Sequence, residues 1–188
     1  TDYTINNGSA KFINLSLDSI YCEMSHPAYP DFEGANVLKT SNVHPIRMPE
    51  HVLATFTTAN KTDSVMLSLA SYVPGKSVYF EWNGDGNVTQ YALESNYKLF
   101  RAKSKENAKV RVLVAEADDK LKVFSVSNVK MSQADLSGLK DTKVIVVAEA
   151  GLTNITLPAT APNLTDLNLD GNELSEIDLS HFPKLFSV

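Results

Sequence analysis

The side chains able to do chemistry are scattered along this chain. His26, His44, His51 and His181 include no close-spaced pair of the kind with which a helix presents two imidazoles to one metal. Serines are numerous, yet no G-x-S-x-G elbow exposes one as a nucleophile, and no histidine and acid stand near one in a triad pattern. Cys22 is alone, which excludes an internal disulfide and a thiolate zinc cluster and leaves it as a small buried hydrophobe. Asp170, Glu173, Glu176 and Asp178 are close in sequence and read as a solvated face, because spacing alone defines no glycosidase pair. The nearest approach to a ligand set is Glu81, Asn83, Asp85 and Asn87, which alternate oxygen-bearing side chains through a Gly-rich turn and form a candidate calcium site. The same Asn83-Gly84-Asp85-Gly86 run is ordinary hairpin chemistry, and its glycines are misplaced for an EF-hand loop. The expectation is a protein that is not an enzyme and carries no cofactor.

A chain of 188 residues has room for one domain or two small ones, and two small ones fit the patterning below. The net charge of −5 gives no basic field for a phosphate backbone, so nucleic acid is not an expected partner. No apolar stretch approaches the roughly 18 residues that span a bilayer, so no membrane span is expected. The start Thr1-Asp2-Tyr3-Thr4 has neither an initiator Met nor a signal-peptide pattern, and reads as a mature product or a piece of something longer.

Repetition organises the C-terminal third. The clearest unit, Leu164-Thr-Asp-Leu167-Asn-Leu169-Asp-Gly-Asn172-Glu-Leu174-Ser-Glu-Ile177-Asp-Leu179, follows L-x-x-L-x-L-x-x-N-x-L-x-x-I-x-L, the pattern of a leucine-rich repeat. The same apolar spacing occurs 22 residues earlier at Thr142, Ile145, Val147, Ala150, Leu152, Ile155 and Leu157. It occurs again 21 residues before that at Leu121, Phe124, Val126, Val129, Met131, Ala134 and Leu136. Such spacing builds a solenoid: positions four and six of each unit share one face of a short strand, and each coil buries that face only by stacking on its neighbours. Asn172 stands where a side-chain amide satisfies the backbone at the bend after the strand, and Val129 and Ala150 replace it in the earlier units.

The preceding region has period-two strands. Leu53–Thr58, Ser64–Tyr72, Ser77–Trp82, Val88–Tyr91 and Lys109–Val114 are rich in β-branched and aromatic residues, and Pro74-Gly75, Asn83-Gly84-Asp85-Gly86 and Glu106-Asn107 punctuate them. Alternation places Val78, Phe80 and Trp82 on the buried face, with Tyr79 and Glu81 pointing the other way. The fold class predicted is mainly β: a small antiparallel β-sandwich over residues 48–117 followed by a short leucine-rich-repeat solenoid with parallel strands over 118–188, about three repeats, truncated at the C-terminus. Residues 1–47 read as an N-terminal β or irregular segment, with a strand suggested at Lys11–Asp18 and a turn-rich stretch at Ser25–Gly34.

Val78-Tyr-Phe-Glu-Trp-Asn-Gly-Asp-Gly-Asn87, followed by strands and by repeats ending Ile-Asp-Leu-Ser, resembles surface and secreted leucine-rich-repeat proteins of Bacteroidetes. In those proteins a PKD-like β-sandwich with a Trp-Gly-Asp-Gly hairpin leads into the solenoid. The resemblance covers residues 48–188 and departs at Asn83, which separates the Trp from Gly-Asp-Gly. It implies an extracellular or outer-surface location and adhesion or recognition without catalytic residues. Asp18-Ser19-Ile20 and Asp63-Ser64-Val65 are similar to that group's O-glycosylation acceptors, while Asn60 and Asn87 head N-x-S/T triplets that matter only in a eukaryotic secretory host.

Positions three, five and seven of each unit flank the buried strand residues and define the candidate ligand-binding face: Val123, Ser125 and Ser127, then Val144, Val146 and Ala148, then Asp166, Asn168 and Asp170. The valines are either a contact site or are covered within the molecule by the sandwich or the N-terminal segment. The expected function is non-catalytic extracellular recognition or adhesion, binding a protein or glycan partner. The alternative is a structural stalk or an accessory domain of a larger surface protein or enzyme. Leu185-Phe186-Ser187-Val188 opens a further unit without a polar cap, which predicts a chain that continues, or self-association through this end.

Overall fold

The computed structural model describes residues 3–6, 9–12, 51–60, 62–116 and 120–188. Cys22, His26, His44, the Ser25–Gly34 stretch and Asp18-Ser19-Ile20 lie outside the described residues. Two compact units are present, Thr1–Met48 and Pro49–Val188. In the first, β1 (Tyr3–Asn6) and β2 (Ser9–Phe12) form an antiparallel ladder with Tyr3 opposite Phe12 and Asn6 opposite Ser9. β2 meets the predicted Lys11–Asp18 strand only at Lys11 and Phe12; residues 13–18 are not among those described.

The second unit is mainly β, and its described residues contain no helix. Its strands are β3 (His51–Thr58), β4 (Thr62–Ser71), β5 (Ser77–Glu81), β6 (Val88–Ala92), β7 (Lys98–Ser104), β8 (Lys109–Val114), β9 (Leu121–Ser127), β10 (Met131–Asp135), β11 (Val144–Ala148) and β12 (Asp166–Asn168). They form two five-stranded sheets, ordered β10-β3-β8-β5-β6 and β12-β11-β9-β4-β7. The first is antiparallel throughout. The second is mixed: β4 runs antiparallel to β7 and β9, whereas β9, β11 and β12 run parallel.

Period-two alternation decides which side of each strand is buried. Ala54 and Phe56 of β3, Val78 and Phe80 of β5, and Val110 and Val112 of β8 turn inward from the antiparallel sheet. Val65 and Leu67 of β4, Phe124 and Val126 of β9, Ile145 and Val147 of β11, and Leu167 of β12 turn inward from the mixed sheet, and both sets belong to one apolar cluster. Trp82 stacks on Phe80 with ring centroids 4.7 Å apart, and Phe80 and Tyr91 each lie about 5 Å from Phe100. Burying Val78, Phe80 and Trp82 is what the alternation predicts.

Three features differ from the sequence-based expectation. β7 was not expected, because Lys98, Arg101 and Lys103 interrupt its pattern and only Phe100 and Ser104 are fully buried. Charges on an edge strand protect its open backbone from pairing with another chain, and they hide the period at the same time. Second, Glu81 is buried although it lies on the side of β5 opposite Phe80, where the alternation places it. Third, the two sheets do not end at Ala117: β9, from the first repeat, sits between β4 and β11, and β10 pairs antiparallel with β3. One core therefore runs from Ala54 to Phe182. Where the turn after β10 crosses β3, Gly138 lies against backbone so closely that a Cβ there would sit 2.6 Å from Leu53 Cα, and only glycine fits.

From β9 onward the chain returns to itself at the spacing of the sequence repeat. Lys143 N–H donates to the Lys122 carbonyl at 2.9 Å, Thr165 N–H to Lys143 at 2.9 Å, and Phe186 N–H to Thr165 at 3.1 Å. The same tight turn recurs three times, with Thr142, Leu164 and Leu185 donating to the carbonyls of Leu139, Ala161 and Phe182. Each strand is followed by a left-handed residue, Asn128 (φ 59°), Glu149 (φ 56°) or Gly171 (φ 68°). Three different residue types adopt this bend.

Candidate binding face

The nine residues expected to form a face do lie along one side of the parallel strands, and the register aligns them in rows. Val123 stands beside Val144 and Val144 beside Asp166; Ser125 beside Val146 and Val146 beside Asn168; Ser127 beside Ala148. Asp170 continues the third row, where its carbonyl accepts Glu149 N–H at 2.7 Å. Exposure rises along the stack: Ser125, Ser127, Val144, Val146, Ala148 and Asp166 are half-buried, and Asn168 and Asp170 are exposed. Val123 is the exception, at 2% exposure.

Sequence reasoning stopped this face too early. Because β9 pairs with β4 and β4 with β7, the rows continue as Val123–Ala70 and as Ser125–Ser68–Leu99, with Arg101 beside Met66 in the next row. Leu99, Arg101 and Lys103 are exposed on β7, and Tyr97 just before it is 66% exposed. The signal for β4 was present in Ser64-Val-Met-Leu-Ser-Leu, whose alternation puts Ser64, Met66 and Ser68 on the outer side. Its neighbour was not encoded locally. The assembled surface is a small-residue floor of Ser, Ala and Val, with basic and apolar groups on β7 and acidic and amide groups at β12.

Asn172 fixes the bend that ends β12. Its Nδ2 donates to the carbonyls of Val147 and Leu169, both at 2.7 Å, and its Oδ1 accepts Leu152 N–H at 3.1 Å. One amide thus joins two successive coils. Ala150 and Val129, at the equivalent earlier positions, are buried in the core instead. Opposite this end, Tyr72 donates from its phenol to the Asp141 carbonyl at 3.1 Å, spanning from the end of β4 to the turn before β11. Burial, reinforced by the Asp141 carboxylate, holds the Tyr72 phenol above its ordinary value of 10.0.

The Glu81–Asn87 hairpin directs its oxygens to donors of its own. Glu81, 2% exposed, accepts Gly86 N–H on Oε1 at 2.5 Å and pairs through Oε2 with Arg111 Nε on the neighbouring strand. Asn83 accepts Lys105 N–H at 3.4 Å, and Asp85 accepts Asn87 N–H at 3.0 Å. The Asn87 backbone and side-chain donors hold the Asp85 carboxyl below the ordinary carboxylate range. Among the described residues no group of three or more His, Cys, Asp or Glu is placed to hold a metal.

His51 is exposed at the start of β3; His181 pairs only with Asp178, at 3.5 Å, both exposed. Ser180 hydrogen bonds, from side chain and backbone, keep the Asp178 carboxyl low. Asp170, Glu173, Glu176 and Asp178 are all exposed. One groove, of about 890 Å³, is lined by Ile155, Leu157, Ile177, Phe182, Asn154 and His181 among others. A second, of about 550 Å³, borders β10 at Thr55, Thr57, Gln133, Asp135, Asn154 and Thr156. The first groove also takes in Ser175, Glu176 and Asp178, the last paired with His181 at its exposed rim. No helix among the described residues is long and apolar enough to cross a membrane. No family model, curated protein or solved structure matches the chain.

Proposed function

We propose that this chain is a non-catalytic recognition module, a leucine-rich-repeat solenoid fused to a PKD-like sandwich, that docks a protein or glycan partner outside the cell on the outer face of its mixed sheet. The observation that carries the reading is the set of registered rows across β7, β4, β9, β11 and β12, a floor of small, mostly half-buried side chains rimmed by charged and aromatic groups. Large partners are bound by such flat faces; small substrates need a cleft. The solenoid assignment is supported by parallel strands at the repeat spacing, by the recurring left-handed bend and by the bridging amide of Asn172. The shared core also suits a rigid stalk that projects another module, and binding separates the two readings.

The test is a glycan array together with a panel of purified extracellular-matrix proteins, probed with the wild-type chain and with Val146→Arg and Gln90→Arg. Val146 is half-buried in the middle of the face, whereas Gln90 is exposed on β6 of the other sheet. Binding lost in Val146→Arg and kept in Gln90→Arg is the expected result. Absence of binding across both probe sets, or binding indifferent to Val146→Arg, overturns recognition through this face.

A further inference from the structure

We propose that the outer face of the mixed sheet is self-complementary and pairs two copies of this chain about a two-fold axis running along β9. The proposal rests on reading that face as a binding surface and names its partner as a second copy. Its basis is the distribution of charge across the five strands. β7 carries exposed Arg101 and Lys103, and β12 carries Asp166 with Asp170 just beyond it. Between them the outward residues of β4, β9 and β11 are Ser64, Met66, Ser68, Ala70, Val123, Ser125, Ser127, Val144, Val146 and Ala148, none of them charged; Ala70 and Val123 are covered within the chain at 1% and 2% exposure, which leaves the second and third rows to make the contact. A face with a basic rim, a neutral centre and an acidic rim repels its own translation and attracts its own two-fold image.

The register makes the pairing specific. A two-fold axis parallel to the central strand keeps each row facing its own row and exchanges the two ends. In the third row Arg101, beside Met66, then faces the partner's Asp170, beside Ala148. In the second row Leu99 faces the partner's Asn168. Ser125 and Ser127 lie on the axis, where short side chains let the two sheets approach. Four interstrand steps span about 19 Å and five residues of strand about 17 Å, so the contact covers a few hundred Å² per copy. That is the size of a transient dimer rather than an obligate one.

The experiment is sedimentation equilibrium of the full 188-residue chain over tens to hundreds of micromolar, with Arg101→Glu, Asp170→Arg and a one-to-one mixture of the two. Both positions are exposed, and circular dichroism checks that the variants fold. The wild type should dimerise, more weakly at high salt. Each variant should dimerise at least about tenfold more weakly, because a two-fold contact repeats the like-charge clash twice. The mixture should regain wild-type association, since every altered rim then meets its opposite. A wild type that stays monomeric overturns the proposal. So does association that survives both single variants, which places the contact elsewhere, for instance at the exposed Phe186 and Val188. Ligand binding that is sensitive to Val146→Arg but comes from a monomeric wild type removes the dimer alone; loss of both removes the reading of the face.

Discussion

Several side chains here are explained by the backbone groups they complete. Asn172 is engaged by three such groups across two coils, so Asn172→Ala should cost about 2 kcal/mol, the penalty of leaving half-buried donors and acceptors unmatched. Asn172→Asp should do no better, because it aims a carboxylate at two carbonyls. A loss under about 0.5 kcal/mol in chemical denaturation would mean that the amide does not join the coils. Tyr72 supplies a pH-dependent contribution of known sign. Its folded pKa is raised, so the neutral phenol is favoured in the native state, and the contribution is complete below the ordinary value of 10.0 and is lost as pH rises through the folded value. The difference in Tm between the wild type and Tyr72→Phe should therefore hold steady at neutral pH and shrink in alkali. A difference independent of pH would contradict this. Glu81 marks the limit of local reading: alternation placed it correctly on the outer side of β5, but its burial depends on Arg111 of a strand 30 residues away.

Among the elements, the bends after β9, β11 and β12 show most directly how a repeat imposes backbone geometry. Asparagine and glycine tolerate the left-handed region, and glutamate does so at a cost of about 1 kcal/mol. Glu149→Gly should accordingly stabilise the chain by roughly 0.5–1 kcal/mol. The Glu149 carboxylate also lies over Gly171, within 2.7 Å of where a Cβ would stand, so the absence of a side chain at Gly171 is what makes room for it. A destabilised Glu149→Gly variant in thermal or urea unfolding would show that this contact outweighs the strain. β7 was the strand hardest to see in the sequence. An edge strand needs charge on its outer side to stay unpaired, and that charge removes the apolar half of the period by which strands are recognised.

For the unit Pro49–Val188, the continuous core predicts cooperativity. Leu167, 1% exposed at the repeat end of the mixed sheet, shares one cluster with Phe56 and Val110 of the antiparallel sheet. Leu167→Ala should remove about 2–5 kcal/mol through transfer and cavity terms. It should also lower the unfolding of the whole unit as one transition, with faster hydrogen exchange in β3 and β8 as well as in β11. Two separated transitions, with only residues 121–188 affected, would mean that the cores act independently. The sequence by itself determined the positions of most strands, the burial of Val78, Phe80, Trp82 and Leu167, and the amide at Asn172, because side-chain period and repeat spacing are properties of a single segment. Tertiary structure alone decided that β9 pairs with β4, that β10 closes the edge beside β3, and that the candidate face reaches Leu99 and Arg101. The physical reason is that backbone donors and acceptors are the same in every strand. A strand's sequence specifies which side it buries, while its neighbour is chosen by the shape and packing of a core assembled from residues distant along the chain.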